Sequence, residues 1–380
     1  MRLSQRLGPQ TSPASSYGLP IMASQVKFAV IGDAFVDISV GPLDVLPSPG
    51  ADIEVETVSQ GPGGSALNTA WHLAAQGVPA TLHAAVGQDR MAQVLTAALK
   101  NESKVTDPAK SLAVLKYQAT ATCVAMHGPR VDRTFVSTYG AAKTATLNQL
   151  LPGGNADALD ATHVHIGGFY VCRGVHGGLA ACVKRLKSRG IKVSMDPNFD
   201  ATGEWTPTAM MTAVRGPGAV DLLMPSEVEA CEITGKDTAE EALEVLVGGA
   251  SGDGSGQQSN GSDGVGLVVI KRGARGVLAG DSSGRRWAVP ACTVSRVVDT
   301  NGAGDAFNAG FLRVWSQGLD VGSALMAGCA GAAIAAQHSG AVGAWAPDRA
   351  TVDAQSEAEY GDKPWWQKGI LACMAPRRPV

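Results

Sequence analysis

Apolar residues along the chain gather in short runs, several of them closed by glycine. VKFAVIG (Val26–Gly32), TLHAAVG (Thr81–Gly87), THVHIGG (Thr162–Gly168), IKVSMD (Ile191–Asp196), DLLM (Asp221–Met224), GLVVIKRG (Gly266–Gly273) and GVLAG (Gly276–Gly280) have strand length and predict buried strands. Between them, SALNTAWHLAAQG (Ser65–Gly77), MAQVLTAALK (Met91–Lys100) and GGLAACVKRLKSRG (Gly177–Gly190) read as helices. Strands that alternate with helices need crossovers. The pattern therefore predicts an α/β fold with a doubly wound, mostly parallel sheet and helices on both faces. Two segments break the rhythm, Ala51–Gln60 and residues 116–139. Both alternate apolar with polar residues, as half-exposed antiparallel strands do. They predict a small β-sheet lid drawn from about Val40–Gln60 and Leu115–Tyr139.

Composition narrows the class. Of 380 residues, 45% are apolar, enough for a sizeable core, so global disorder is excluded. Glycine occurs 47 times without a Gly-X-Y period, which excludes collagen and points to turns and close backbone approaches. With 31 basic and 34 acidic residues, the net charge of −3 gives no electrostatic reason to expect nucleic acid or an anionic membrane as partner. Val321–Ala336 is uncharged, but too short and too rich in Gly and Ala to span a bilayer, and it predicts a buried helix. The seven cysteines are scattered and form no C-x-x-C. Free thiols in a reducing compartment are expected, rather than a disulfide framework or a zinc site.

One folded unit is expected over residues 26–347. No acidic residue precedes Asp33, and residues 1–25 read as a disordered leader or a transit peptide. The expected location is cytoplasmic, with plastid or mitochondrion as the alternative. Residues 248–264, rich in Gly and Ser, read as a flexible insertion, and residues 348–380 as a tail without a functional reading.

The strongest chemical signal is VVDTNGAGDAFNAGFLRVW (Val297–Trp315). A turn of small residues opens a helix there, and its N–H groups together with the helix dipole suit a phosphate. A carboxylate in that place cannot bind phosphate, but it can take a proton from an attacking hydroxyl. Taken alone, Asp305 would also suit an N-cap.

DTNGAGDAF (Asp299–Phe307) and GGSALNTA (Gly63–Ala70) resemble the two signatures of the ribokinase-like (PfkB) carbohydrate kinase family, in the right order. The resemblance covers roughly Val26–Pro347. It implies a kinase that transfers the γ-phosphoryl group of ATP to a hydroxyl of a sugar or related small molecule. It also implies Asp305 as catalytic base and the backbone of Gly302, Ala303 and Gly304 as anion hole. Asp37 is then substrate-binding, with Asp33, Gly63, Gly64, Asn68 and Arg133 as further candidates around the acceptor. Asn198, Ser226, Glu229, Lys271, Gly273, Gly276, Asp299 and Thr300 are candidates on the ATP and Mg2+ side. The family usually has N-x-x-E where this chain has Ser226 and Glu229, which puts the metal dependence in question. Mg2+ is expected to be held through the phosphates, not by a protein-only site, and a monovalent cation such as K+ is a further expectation.

The acceptor stays open between a sugar and a nucleoside. A catalytically reduced organellar scaffold of the same fold is the reading outside enzymes. A homodimer through the open edges of the lid is also expected. His163 and His165 share a strand face, yet no third ligand is evident, and strand packing is favoured over a metal.

Overall fold

The computed structural model describes residues 26–101, 105, 112–128, 130–205, 207–214, 219–248 and 265–342. The expected leader at 1–25, the insertion from 249 to 264, and the tail at 348–380 lie outside the described residues.

Buried apolar runs become the strands of the larger sheet. These are β1 (Phe28–Gly32), β4 (Ala80–Gly87), β5 (Leu112–Leu115), β8 (His163–Gly167), β9 (Lys192–Asp196), β10 (Leu222–Leu223), β11 (Leu267–Lys271), β12 (Val277–Asp281) and β13 (Arg286–Val289). Their order across the sheet is β13-β12-β11-β10-β9-β8-β1-β4-β5. Neighbours from β10–β11 through to β4–β5 are parallel, and β12 and β13 close one edge antiparallel.

Helices cover both faces. They are α1 (Ser65–Ala75), α2 (Arg90–Asn101), α3 (Gly140–Thr144), α4 (Leu147–Leu150), α5 (His176–Ser188), α6 (Pro207–Val214), α7 (Glu227–Thr234), α8 (Ala239–Gly248), α9 (Ala303–Trp315) and α10 (Val321–Ala335). Successive residues of β1 serve opposite cores. Ala29 and Ile31 pack into the core that holds Leu179, Val183 and Ile233, while Phe28 and Val30 pack with Leu67, Leu73 and Phe311. A strand buried on both faces must be apolar throughout, which is why these segments read as continuous runs.

The second sheet has order β3-β2-β6-β7, built from β2 (Phe35–Gly41), β3 (Thr57–Gly63), β6 (Thr122–Gly128) and β7 (Val131–Thr138). It is the expected lid with shifted borders. Pairing of β3 begins at Thr57 and runs to Gly63, so Ala51–Glu56 contributes no strand. β2 enters the lid directly after β1, earlier than the expected Val40. Leu115 ends an edge strand of the larger sheet instead of opening the lid. Exposed apolar residues lie on both faces of the lid, Val58 and Val136 on one and Phe135 on the other.

GVLAG forms an antiparallel hairpin partner of β11, with Gly273 and Gly276 in the turn. One further expectation changes. Cys292 is disulfide-bonded, whereas Cys123, Cys172, Cys182, Cys231 and Cys329 are free as expected. No helix among the described residues is long and apolar enough to cross a membrane.

Candidate active site

The carboxyl ends of five neighbouring parallel strands meet in one place. Asp33 follows β1, Gly168 follows β8, Asp196 ends β9, Ser226 lies just past β10, and Lys271 ends β11. β8 and β4 flank β1 on opposite sides, so the chain reverses its winding there, and open α/β sheets bind ligands at such a reversal. The first turns of α1 and α9 face each other over this edge. Spacing of i and i+3 puts Ser65 and Asn68 on one face of α1, and Asp305 and Asn308 on one face of α9.

Asp305 is buried in that facing pair. Its Oδ1 accepts from Ser65 Oγ at 2.8 Å and its Oδ2 from Asn68 Nδ2 at 2.8 Å. Burial, reinforced by nearby Asp196, pushes its carboxyl up to about 7, while Asn68, Lys271 and Ser65 pull the other way. A carboxylate poised near neutrality is suited to general base work. Around it, α9 begins at Gly302, whose left-handed backbone (φ 74°) starts the helix. A side chain at Gly302 would lie 2.6 Å from the Ala341 carbonyl, so glycine is required twice over. The first N–H groups of a helix lack intrahelical partners and can hold an anion. Of the three expected anion-hole residues, Ala303 donates its N–H to Thr300 O at 3.3 Å.

Lys271 supplies positive charge beside this hole, 3.7 Å from where a Cβ on Gly304 would sit. Its ammonium pairs with Asp196, which also accepts from Asn308 Nδ2 at 2.6 Å. Burial works against that ammonium, but Asp196, Glu229 and Asp305 outweigh it and hold the lysine charged above its ordinary range. Glu229 is pushed up to about 7, by burial first and Asp196 second. Its Oε2 accepts from Ser226 N at 2.7 Å, and Ser226 Oγ accepts from Glu229 N at 3.3 Å. The expected metal-linked pair is therefore also a capping box that starts α7. Asp196 and Glu229 bring two carboxylates to one cation, and that surplus of negative charge suits a divalent ion bridging to phosphate. Among the described residues no group of three or more His, Cys, Asp or Glu is arranged to hold a metal.

On the lid side, Asp37 sits in β2, where burial pushes it up to about 6. Its Oδ2 accepts from Asn301 Nδ2 at 3.5 Å, which links the lid to the loop before α9. Gly63 pairs with Phe35 on the ladder, and a Cβ there would collide with the Asp37 carboxyl. Gly64 has φ 96° at the start of α1 and packs on Ala34 and Asp33. Asp33 is buried, raised by that burial, and accepts from Ala66 N at 2.8 Å, so it holds the start of α1 in place.

Other expected residues spread outward. Asn198 adopts a left-handed backbone (φ 56°) and its Oδ1 accepts from Gly168 N at 2.6 Å, which fixes the β8 and β9 ends together. Asp299 accepts from Asn301 N at 2.8 Å and Gly340 N at 3.0 Å, so it braces the loop. Thr300 lies in the same loop. Gly276 is a packing glycine, since a Cβ there would strike Val289 O. Arg133 falls on β7 in the lid. His163 and His165 share the Ser194 hydroxyl at 3.0 and 2.8 Å inside the core, and burial pushes His165 down to about 4.

Three residues of the cluster escaped sequence reasoning as individual candidates: Ser65, Asn301 and Asn308. Asn308 had a signal, its place three residues after Asp305 on the same helix face. Ser65 had one as well, three residues before Asn68.

The sequence pattern of the pfkB family of carbohydrate kinases matches residues 26–349. The chain belongs to that family. It is 31% identical over 136 residues to a cytidine kinase of Thermococcus kodakarensis, covering 36% of this chain and 43% of that one. It is 27% identical over 164 residues to a ribokinase of Haemophilus influenzae, covering 43% of this chain and 47% of that one. The chain thus spans less than half the length of these curated relatives. An Arabidopsis thaliana ribokinase solved with ribose and ATP has the same fold, with a TM-score of 0.66 at 21% identity. That match covers 86% of this chain and 96% of the ribokinase.

Proposed function

We propose that this pfkB-family protein transfers the γ-phosphoryl group of ATP to a hydroxyl of a sugar. The observation that carries the reading is Asp305, buried, held near neutral ionisation, and set at the mouth of the α9 amides beside Lys271. The acceptor hydroxyl gives its proton to a carboxylate oxygen of Asp305. Its oxygen forms a new bond to the γ-phosphorus, and the bond to the bridging oxygen breaks with its electron pair leaving on ADP. The amides at Gly302–Gly304 and the Lys271 ammonium face the charge that spreads over the transferring group. Asp196 and Glu229 would hold the phosphate-bound Mg2+, which supplies charge neutralisation when bound. Asp37, on the lid, would accept hydrogen bonds from neighbouring acceptor hydroxyls. Closing the lid over the acceptor keeps out water, the competing nucleophile.

A nucleoside acceptor is the second reading, favoured by the 31% identity to a cytidine kinase. ADP release with ribose, fructose, 2-keto-3-deoxygluconate, adenosine and cytidine separates the two. Turnover with a sugar supports the proposal, and turnover with nucleosides alone replaces it. No turnover with any of them, together with a stable macromolecular partner, would favour a scaffold.

A further inference from the structure

Both oxygens of the Asp305 carboxylate are taken by donors from one turn of α1, Ser65 Oγ and Asn68 Nδ2, each at 2.8 Å. Chemistry settles which way each points. A carboxylate repels an amide oxygen, so Asn68 turns its NH2 toward Asp305, and its Oδ1 is left buried without a partner. The Ser65 hydroxyl has one proton and gives it to Oδ1. Ser65 occupies a variable place of the G-G-x-x-x-N pattern, where no role was expected.

We propose that Ser65 is a positioning residue for the phosphoryl-transfer base, its hydroxyl locking the Asp305 carboxylate in the plane set by Asn68. The role rests on the reading of Asp305 as base. With Oδ1 and Oδ2 each pinned from α1, the carboxylate cannot rotate about its terminal bond, and its remaining lone pairs keep a fixed direction for the acceptor hydroxyl. Ser65 is the adaptable member of the pair. Once Asp305 has taken the proton, the same hydroxyl can turn and accept, so the clamp survives both states. An amide NH2 cannot do this.

The clamp also favours the charged form. Ser65 and Asn68 both act to lower the Asp305 ionisation that burial raises. The charged groups facing Asp305 are Asp196 from β9, which raises it, and Lys271 from β11, which lowers it, while α1 presents only neutral donors. Loss of the Ser65 donor leaves the other influences in place, so the carboxyl must become harder to ionise.

The test reads Asp305 directly. Full-length protein carrying 13C at the aspartate carboxyl is titrated by NMR, with the Asp305 signal assigned by its loss in Asp305→Asn. In Ser65→Ala and in Ser65→Gly the midpoint should rise by about one pH unit, the size of one hydrogen bond to a charged group. Ser65→Thr, which restores the hydroxyl, should return it. Two donor-deleting variants guard against one that fails to fold. The acid limb of kcat for the best acceptor should move with the midpoint, while KM for ATP stays put.

An unchanged midpoint in the folded donor-deleting variants would overturn the proposal even if Asp305→Asn abolishes phosphorylation. If instead the midpoint moves but Asp305→Asn still phosphorylates the acceptor at the wild-type rate, the base assignment fails, and with it the catalytic meaning of the clamp.

Discussion

The two sheets of this molecule treat their polar residues differently. At the carboxyl edge of the larger sheet, Asp196, Lys271, Asn308, Glu229 and Asp305 interlock in a buried network whose members hold one another through direct bonds or charge. On the lid, the half-buried Asp37 makes a 3.5 Å contact to Asn301, and β3 and β7 carry exposed apolar residues. A network of buried charges tolerates little change, because any member left alone is costly. A half-exposed sheet tolerates much more. On the proposed function, phosphoryl transfer belongs to the interlocked edge and the selection of an acceptor to the lid.

The contrast can be broken or sharpened by substitution. The largest effect on stability is expected from Lys271→Met, which leaves the Asp196 carboxylate buried with Asn308 alone. Stability should fall by about 3–5 kcal/mol in denaturant unfolding. An unchanged midpoint would mean that the edge is not a coupled network.

Gly63→Ala comes next. The new methyl group must displace the Asp37 carboxyl. KM for the acceptor should rise roughly tenfold, equivalent to about 1.4 kcal/mol, with kcat and the ATP KM nearly unchanged. A fall in kcat alone would place Asp37 with the chemistry instead of the acceptor.

A pH experiment isolates Asp305. Its carboxyl is ordinary in the unfolded chain and raised to about 7 in the folded one. Its contribution to stability is therefore complete below its unfolded value and is lost as pH rises through about 7. The stability of wild type relative to Asp305→Asn should fall between pH 4 and pH 7 and level off above. A flat difference across that range would contradict the burial effect.

The smallest effect belongs to the outer lid face. Val136 is 61% exposed, and Val136→Lys should change stability by no more than about 0.5 kcal/mol and leave the acceptor KM unchanged.

The same contrast explains what could be read from sequence. Strands buried on both faces write themselves as apolar runs, and GAGD and GGSALN carry close backbone approaches that few other residues tolerate, so the fold and the starts of α1 and α9 were legible. The lid was legible only as alternation, and its borders slipped because β2 has Phe35 and Val36 buried before it becomes half-exposed. The antiparallel pairing of β11 with β12 follows from the tight turn at Gly273–Gly276, which leaves no room for a crossover. Asn308 and Ser65 were hidden for a different reason. Each is an ordinary helix residue until the fold is known: the packing of α1 against α9 gives Ser65 its Asp305, and the seating of α9 over the end of β9 gives Asn308 its Asp196.

The central claim is that Asp305 drives phosphoryl transfer on this edge. It is tested most directly by side-by-side single-turnover rates of wild type and Asp305→Asn. The assay uses saturating ATP and Mg2+ at pH 8, on whichever acceptor gives turnover. Loss of a positioned base predicts a drop of about 10²–10⁴-fold in phosphorylated product formation, with ATP affinity retained. Equal rates would contradict it.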